Sequence, residues 1–157
     1  MSESAVRAAL TSLQDDPERA DAWTALTTAL GVVGTGDAAT FSGISGPVPA
    51  LAETIEHFEL HGDAQVTAEL LRIYALVYPE HRTSLALRRA HVVSDALFDG
   101  AQAMTVLRAA LSGDPENSEL KEFLEREEER NERRVELMDR YADEAAKATD
   151  ATLSASL

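Results

Sequence analysis

Apolar residues recur along most of the chain at helical spacing, three, four and seven positions apart. In the segment 48–61, for example, the row consists of Leu51, Ile55, Phe58 and Leu60. Spacing of this kind buries one face of an α-helix. The residues that favour strands never gather into alternating runs. The pattern predicts an all-α fold with helices near 3–14, 18–31, 48–61, 64–77, 81–97, 101–112 and 117–147, the last with a further turn to 156.

Prolines and glycines divide these segments. Pro79 and Asp114-Pro115 predict a new helix start, because the residue before Pro avoids the α region and Pro suits a first turn. In Gly36-Asp37, Gly62-Asp63 and Asp99-Gly100, the Gly can close one helix and the Asp can cap the next. The number of residues from Pro79 to Pro115 is similar to the number from Gly62 to Asp99. Both intervals are a little over the roughly 34 residues of a two-helix repeat. Stacked antiparallel helix hairpins produce such recurrence.

Residues 3–120 resemble the tetratricopeptide repeat, whose unit has a bulky residue early in helix A, small residues in helix B and Pro at the exit. ADAWTALTTALGVVGTGD is similar to a helix A, with Trp23 and Leu26 in the expected places. Thr27 and His91 depart from the pattern, since the family favours Gly there. AQAMTVLRAALSGDPEN matches a helix B and its exit at Ala103, Leu107, Ala110 and Pro115. The resemblance implies a right-handed TPR-like short α-solenoid of stacked antiparallel helix hairpins.

The resemblance also implies a function. In that family the concave face built by the A helices binds extended or helical peptides. We therefore expect a protein-protein interaction module or scaffold that binds a protein or peptide partner and needs no cofactor. The residues exposed on that face would be Thr24, Thr28, Glu56, Glu59, Arg88, Val92 and Asp95.

The predicted array covers 1–115 and is interrupted by a Gly-rich insert at 31–49. Five glycines and two prolines make a continuous helix improbable in the insert. A phosphate-binding loop is disfavoured, because no strand precedes it and neither a GKS/T ending nor a G-x-G-x-x-G run is present. The insert is expected to be a mobile surface loop, or a loop whose hydrophobic tip (Phe41, Ile44) packs against the next hairpin or a partner.

Residues 116–157 form the second predicted region, a long charged helix with an apolar start at 120–124 and an apolar end at 135–141. Ten polar residues, 125–134, separate the two. One interpretation is a solvated helix that bridges two packed ends. Another is a dimerising helix, although apolar a and d positions are not sustained over the heptads of a coiled coil; the alternative function is then a homo-oligomeric structural unit. A third is a C-terminal cap or truncated repeat, since Leu153 and Leu157 suggest a helix stopped early.

The chain is acidic, with 28 Asp and Glu against 14 Lys and Arg and a formal net charge of −14. This field would repel nucleic acid and an anionic membrane surface, so neither is an expected partner. It would attract a basic protein, and it would equally serve solubility. Neither a signal-peptide pattern nor a run of about 20 apolar residues is present, which predicts a cytoplasmic protein.

Sequence patterns for catalysis and metal binding are weak. His57 and His61 lie four apart, but no H-E-x-x-H motif surrounds them, and histidines near a helix C-terminus are favoured on electrostatic grounds. FSGISGP resembles a nucleophile elbow only in its letters, because no strand and helix flank it. The chain has no cysteine. We therefore expect neither an enzyme nor a metalloprotein, and we expect Trp23 to anchor the core.

Overall fold

The computed structural model describes residues 3–43 and 45–156, with side chains at all of these except 37 and 150–156. Within this part the predicted all-α class is confirmed. No helix in the described residues is both long and apolar enough to cross a membrane. The helices are α1 (Glu3–Asp15), α2 (Ala20–Leu30), α3 (Pro49–Leu60), α4 (Ala64–Val77), α5 (Arg82–His91), α6 (Gly100–Gly113) and α7 (Ser118–Ser156).

Side-chain caps set the starts of three helices. Asp63 accepts a hydrogen bond from the Val66 amide at 3.3 Å, and Asp99 caps α6 in the same way at 3.1 Å. Asn117 accepts from the third residue of α7 at 3.1 Å. Each side chain satisfies an amide that has no partner inside the helix. The two aspartate caps agree with the sequence prediction.

Glycine closes α2 earlier than Gly36. Gly31 follows the last residue of α2 in the left-handed conformation, with φ of 84°, where a residue without Cβ is favoured. Residues Gly36–Ala38 form a 3-10 turn instead. The predicted role of Gly36-Asp37 as a helix boundary is therefore wrong.

The helix predicted at 81–97 divides into two parts. Residues Arg82–His91 are α-helical, and residues Val92–Ala96 continue as a π-helical turn. The Leu97 amide donates to the Val92 carbonyl at 3.1 Å, which closes the wider turn. Phe98 then ends the segment with φ of 54°. A π turn inserts an extra residue into the helix and thereby redirects the side chains that follow.

The apolar rows form the core as the spacing predicts, with one clear exception. Leu51, Ile55 and Phe58 are buried, whereas Leu60 is 86% exposed at the end of α3. Leu60 stands two residues after Phe58 and so projects from the opposite side of α3; the prediction for Leu60 is therefore wrong. Trp23 is half-buried against the core, and its indole N–H donates to the Pro17 carbonyl at 2.8 Å.

The insert at 31–49 contains a short β-hairpin that packs on α4. Strands β1 (Val32–Val33) and β2 (Thr40–Phe41) pair antiparallel, and both contact α4. Val32 is buried and Phe41 is half-buried against the main core. The insert is therefore a hairpin packed on the helices rather than a surface loop alone. Ile44, the other residue of the predicted tip, lies outside the described residues.

Successive helices contact one another from α3 to α7, and α1 contacts both α2 and α3. The first part of α7 packs on α6, where Leu120 and Phe123 are buried beside Leu107. Every side chain from 132 to 149 is exposed. The expectation that α7 bridges two packed ends is therefore wrong at its second end. The side chain of Leu153 and all of Leu157 lie outside the description.

Candidate interaction surfaces

A groove of about 490 Å³ runs between α4, α5 and α6. Because α5 contacts both other helices, it forms the floor and they form the sides. The walls are mainly apolar, and Gly36 of the insert closes part of the rim. Apolar and small side chains line most of the groove, namely Leu71, Ala75, Leu76, Leu85, Ala86, Val106, Ala109 and Ala110.

Three arginines, Arg72, Arg82 and Arg89, line the same groove, and none of its described lining residues is acidic. Arg72 is 9% exposed and is held in place on two sides. Its guanidinium pairs with Glu69 one turn earlier, and its Nη1 donates to the Gly36 carbonyl at 2.6 Å. Arg72 therefore ties the insert to α4. A charge-assisted bond of this kind is stronger than one between neutral groups.

Arg82 is different because its guanidinium carries no hydrogen bond or ion pair within the described residues. It is exposed and lies against the last turn of α6: a Cβ added to Gly113 would stand 2.9 Å from Arg82 Nη2. Cations are favoured at a helix C-terminus. Arg89 follows on α5 after seven residues, which is two helical turns, so both side chains point into the groove.

The seven predicted partner-binding residues lie elsewhere. Thr24, Thr28 and Glu56 are exposed on α2 and α3. Val92 is half-buried and packs against two core clusters. Glu59, Arg88 and Asp95 form ion pairs with other helices.

Ion pairs connect α3, α5 and α7 across one side of the molecule. Arg88 Nη2 lies 2.7 Å from a carboxylate oxygen of Glu59. Asp95 in the π turn lies 3.6 Å from Arg130 of α7. Pairs this exposed contribute little stability each, about 0–1 kcal/mol. They do occupy the charges that the sequence assigned to a partner.

A buried carboxylate joins α7 to the π turn. Glu127 is 3% exposed and accepts hydrogen bonds from the Ser94 hydroxyl at 2.7 Å and from Arg130 at 3.2 Å. The sequence does not distinguish Glu127 from its neighbours, because seven other glutamates and arginines of the polar run 125–134 are exposed. Ser94 lies in the π turn, which places its hydroxyl beside Glu127. A cavity of about 280 Å³ opens beside this cluster, next to Phe98, which is 80% exposed.

The histidines form no metal site among the described side chains, where no group of three or more His, Cys, Asp or Glu residues has metal-binding geometry. The His57 and His61 rings lie 4.1 Å apart, and His61 Nδ1 is 2.7 Å from the His57 carbonyl. His81 packs on Tyr78, and His91 packs on Phe123.

The second half of α7 carries an exposed apolar surface. Val135 is 48% exposed, Leu137 44%, and Met138 and Tyr141 each 64%. These residues were predicted from the sequence to form a packed end. An exposed apolar patch of this kind commonly marks a contact with another protein.

Comparisons of the chain with protein-family models, with curated proteins and with solved structures find no match.

Proposed function

We propose that this protein is an interaction module, a short solenoid of antiparallel helix hairpins that receives a segment of another protein in the α4–α5–α6 groove. The proposal rests on the composition of this groove. The groove combines an apolar floor with arginines at its rim, and helix-binding grooves use this combination of apolar anchors and polar orientation. Its volume of about 490 Å³ accommodates several side chains of a partner.

The order of helix contacts supports the solenoid. Each helix from α3 to α7 packs on the next, as stacked hairpins require. Helices α3 and α5 are joined by Glu59–Arg88, and α7 is joined to the π turn after α5 by Asp95–Arg130, whereas α4 and α6 flank the groove. In the tetratricopeptide repeat, which the sequence resembles, A and B helices separate in the same way.

The groove is a better candidate than the A-helix face for the main contact. On the A-helix face, Glu59, Arg88 and Asp95 already pair within the chain. A partner would have to break those pairs before using them. In the groove the apolar side chains of α5 and α6 are available without such a loss.

Blocking the groove tests this assignment. Ala109 lines the groove and is exposed, so Ala109→Trp fills the groove without disturbing the core. Thr28→Trp blocks the A-helix face, and Ala8→Trp on exposed α1 is the matched control. The tagged full chain and its variants would be purified from cells that express it naturally, and the co-purifying proteins quantified by mass spectrometry.

We expect partners to be retained by Ala8→Trp and lost with Ala109→Trp. Loss with Thr28→Trp alone would move the contact to the A-helix face. Identical recovery with all variants would contradict both surfaces. Circular dichroism establishes that each variant is folded.

Self-assembly through α7 is the second candidate function, favoured by the exposed apolar row in its second half. Burial of apolar surface drives most protein association. Met138→Glu places a charge in the middle of this row. We expect wild-type protein to associate with rising concentration in sedimentation velocity and the variant to remain monomeric; a wild-type chain that is monomeric throughout would exclude this function.

A further inference from the structure

The second half of α7 is amphipathic in a specific way. Val135, Met138 and Ala142 follow one another at spacings of three and four, so they form one stripe. All three are exposed. The stripe continues the face that α7 uses to pack on α6 near Leu120, because that residue and Met138 are five turns apart. The same helix face is therefore buried at one end and uncovered at the other.

An acidic stripe borders this apolar stripe. Each of the three apolar residues is followed directly by a residue with a carboxylate, and a fourth carboxylate residue precedes them. The four stand at spacings of four, three and four. A helix places such residues on one line. Carboxylate pairs seven residues apart occur twice in it. The stripe consists of Glu132, Glu136, Asp139 and Asp143.

The groove has the complementary pattern on α5. Arg82 and Arg89 are seven residues apart, with Leu85 and Ala86 between them, and all four line the groove. Seven helical residues span about 10 Å, the same separation as in the two carboxylate pairs of α7. An acidic–apolar helix laid along α5 can therefore place two carboxylates beside two arginines and its apolar stripe on the groove floor.

We infer that the groove binds the second half of α7 from a second copy of this chain. The inference rests on the proposed function, because it names the occupant of the same groove. Two copies that each carry a net charge of −14 repel one another at long range. A stable contact between them must therefore pair opposite charges locally, and the arginines of the groove offer that at an apolar surface.

The contact requires no segment from outside the chain. Residues 132–149 are exposed at every position, so this part of α7 can bind the groove of a second copy without breaking contacts in its own chain. Two reciprocal contacts close a two-fold dimer, and the same contact repeated in one direction builds a linear assembly. Both forms bury the apolar stripe and the groove together.

Charge reversal on either side tests the contact in the full chain. Sedimentation velocity would be measured over a wide concentration range for the wild type, for Arg82→Glu with Arg89→Glu, and for Glu136→Arg with Asp143→Arg. We expect the wild type to associate and each double variant to lower the association constant at least about tenfold. Raised salt should weaken the wild-type contact, because partly exposed charges are screened.

The matched control reverses two other carboxylates of α7, Glu119→Arg with Glu144→Arg. These residues are also exposed, and they stand about a quarter turn or more around the helix from every residue of the acidic stripe. The control should associate like the wild type. The variants of α7 alter residues that pack on nothing, so their folding is not at risk; circular dichroism checks the groove variant.

Mixing the two double variants gives the decisive readout. A groove carrying Glu attracts a helix carrying Arg, and the unaltered groove and helix of the two chains remain complementary. We therefore expect the mixture to associate although each variant alone does not. Failure to associate in the mixture would overturn the inference.

A wild-type chain that stays monomeric at every concentration would also overturn it. The proposed function is tested separately, because a monomeric protein that loses foreign partners with Ala109→Trp still uses its groove. Loss of association in the control variant to the same degree as in the stripe variant would show that the effect does not depend on the position of the reversed charges, and would likewise overturn the contact.

Discussion

Leu51 and Leu60 stand in the same helix and have opposite surroundings. Leu51 is 0% exposed, and Leu60 is 86% exposed. Leu60 stands nine residues after Leu51, which is two and a half turns, so the two leucines project from opposite sides of the helix. The row of Leu51, Ile55 and Phe58 faces the core, and Leu60 faces solvent.

Truncating each leucine to alanine measures this difference. We expect Leu51→Ala to lower the free energy of unfolding by about 2–5 kcal/mol, because it opens a cavity in a packed core. Leu60→Ala should change it by less than about 0.5 kcal/mol. Urea denaturation of the two variants checks the prediction, and similar losses at both sites would mean that Leu60 is buried.

Arg19 and Asp21 form an exposed pair at the start of α2. The hydrogen bond from Arg19 lowers the pKa of Asp21 below its ordinary value of 3.8, and the charge of Arg19 adds to the effect. A lowered pKa in the folded state means that the ionised form is favoured by folding. The contribution is present above pH 3.8 and is lost as the pH falls through the lowered pKa.

Replacing Arg19 by alanine should raise the pKa of Asp21 towards its ordinary value. The Asp21 carboxyl carbon can be titrated by NMR in the wild type and in Arg19→Ala. Arg7→Ala on α1 removes an arginine that pairs with Glu3 instead, and it should leave the Asp21 titration unchanged. An Asp21 pKa that is the same in wild type and Arg19→Ala would show that the pair is not formed in solution.

Among the elements, the hairpin insert is attached to α4 by one charged hydrogen bond and by apolar contacts. Arg72 joins Gly36 of the insert to α4, at 2.6 Å, and the hairpin contributes Val32 to the core. The glycines of the insert, which predict a surface loop, therefore have a different role. They allow the chain to turn twice and place a short apolar strand against α4.

Arg72→Met should release this attachment while keeping most of the side-chain volume. We expect the free energy of unfolding to fall by about 1.5–3 kcal/mol, because the Gly36 carbonyl loses a charged donor. Hydrogen exchange at the hairpin amides should accelerate more than exchange in α6. Arg88→Met is the control, since Arg88 is half exposed in its ion pair, and it should cost less than about 1 kcal/mol. Equal effects would contradict a special role for Arg72.

For the whole molecule, stability is concentrated in the part that ends near the middle of α7. Leu120, Phe123 and Glu127 are buried, and no side chain from 132 to 149 is. The helix therefore has one half that belongs to the core and another that is available for contacts. Propensity and i,i+4 ion pairs such as Glu129–Arg133, at 3.9 Å, support the exposed half.

Ending the chain after Arg134 should leave the fold intact. We expect the melting temperature to change by less than about 2 °C at concentrations where the wild type is monomeric, because none of the described side chains among the removed residues, 135–149, is buried. Differential scanning calorimetry measures it. A larger drop would show that the second half of α7 packs on its own chain, as the sequence led us to expect.

Much of the fold could be predicted because local signals agree with one another. The spacing of Leu70, Leu71 and Tyr74 and the Asp63 cap place α4 where it is found. Glu127 could not be predicted as buried, because its burial depends on Ser94 arriving from a π turn 33 residues earlier. The arginine groove was not predicted for the same reason: Arg72, Arg82 and Arg89 meet only once α4 and α5 pack together.

The sequence by itself determined the class of the fold, the helix boundaries to within a few residues and most of the buried rows. These follow from interactions between residues close in the chain, namely spacing, caps and turn residues. Tertiary structure alone decided which rows find a neighbour. It covered Leu120 and Phe123 and left Met138 and Tyr141 of the same helix uncovered. It also gathered three arginines of an acidic chain around one apolar groove, because packing joins residues that no local pattern connects.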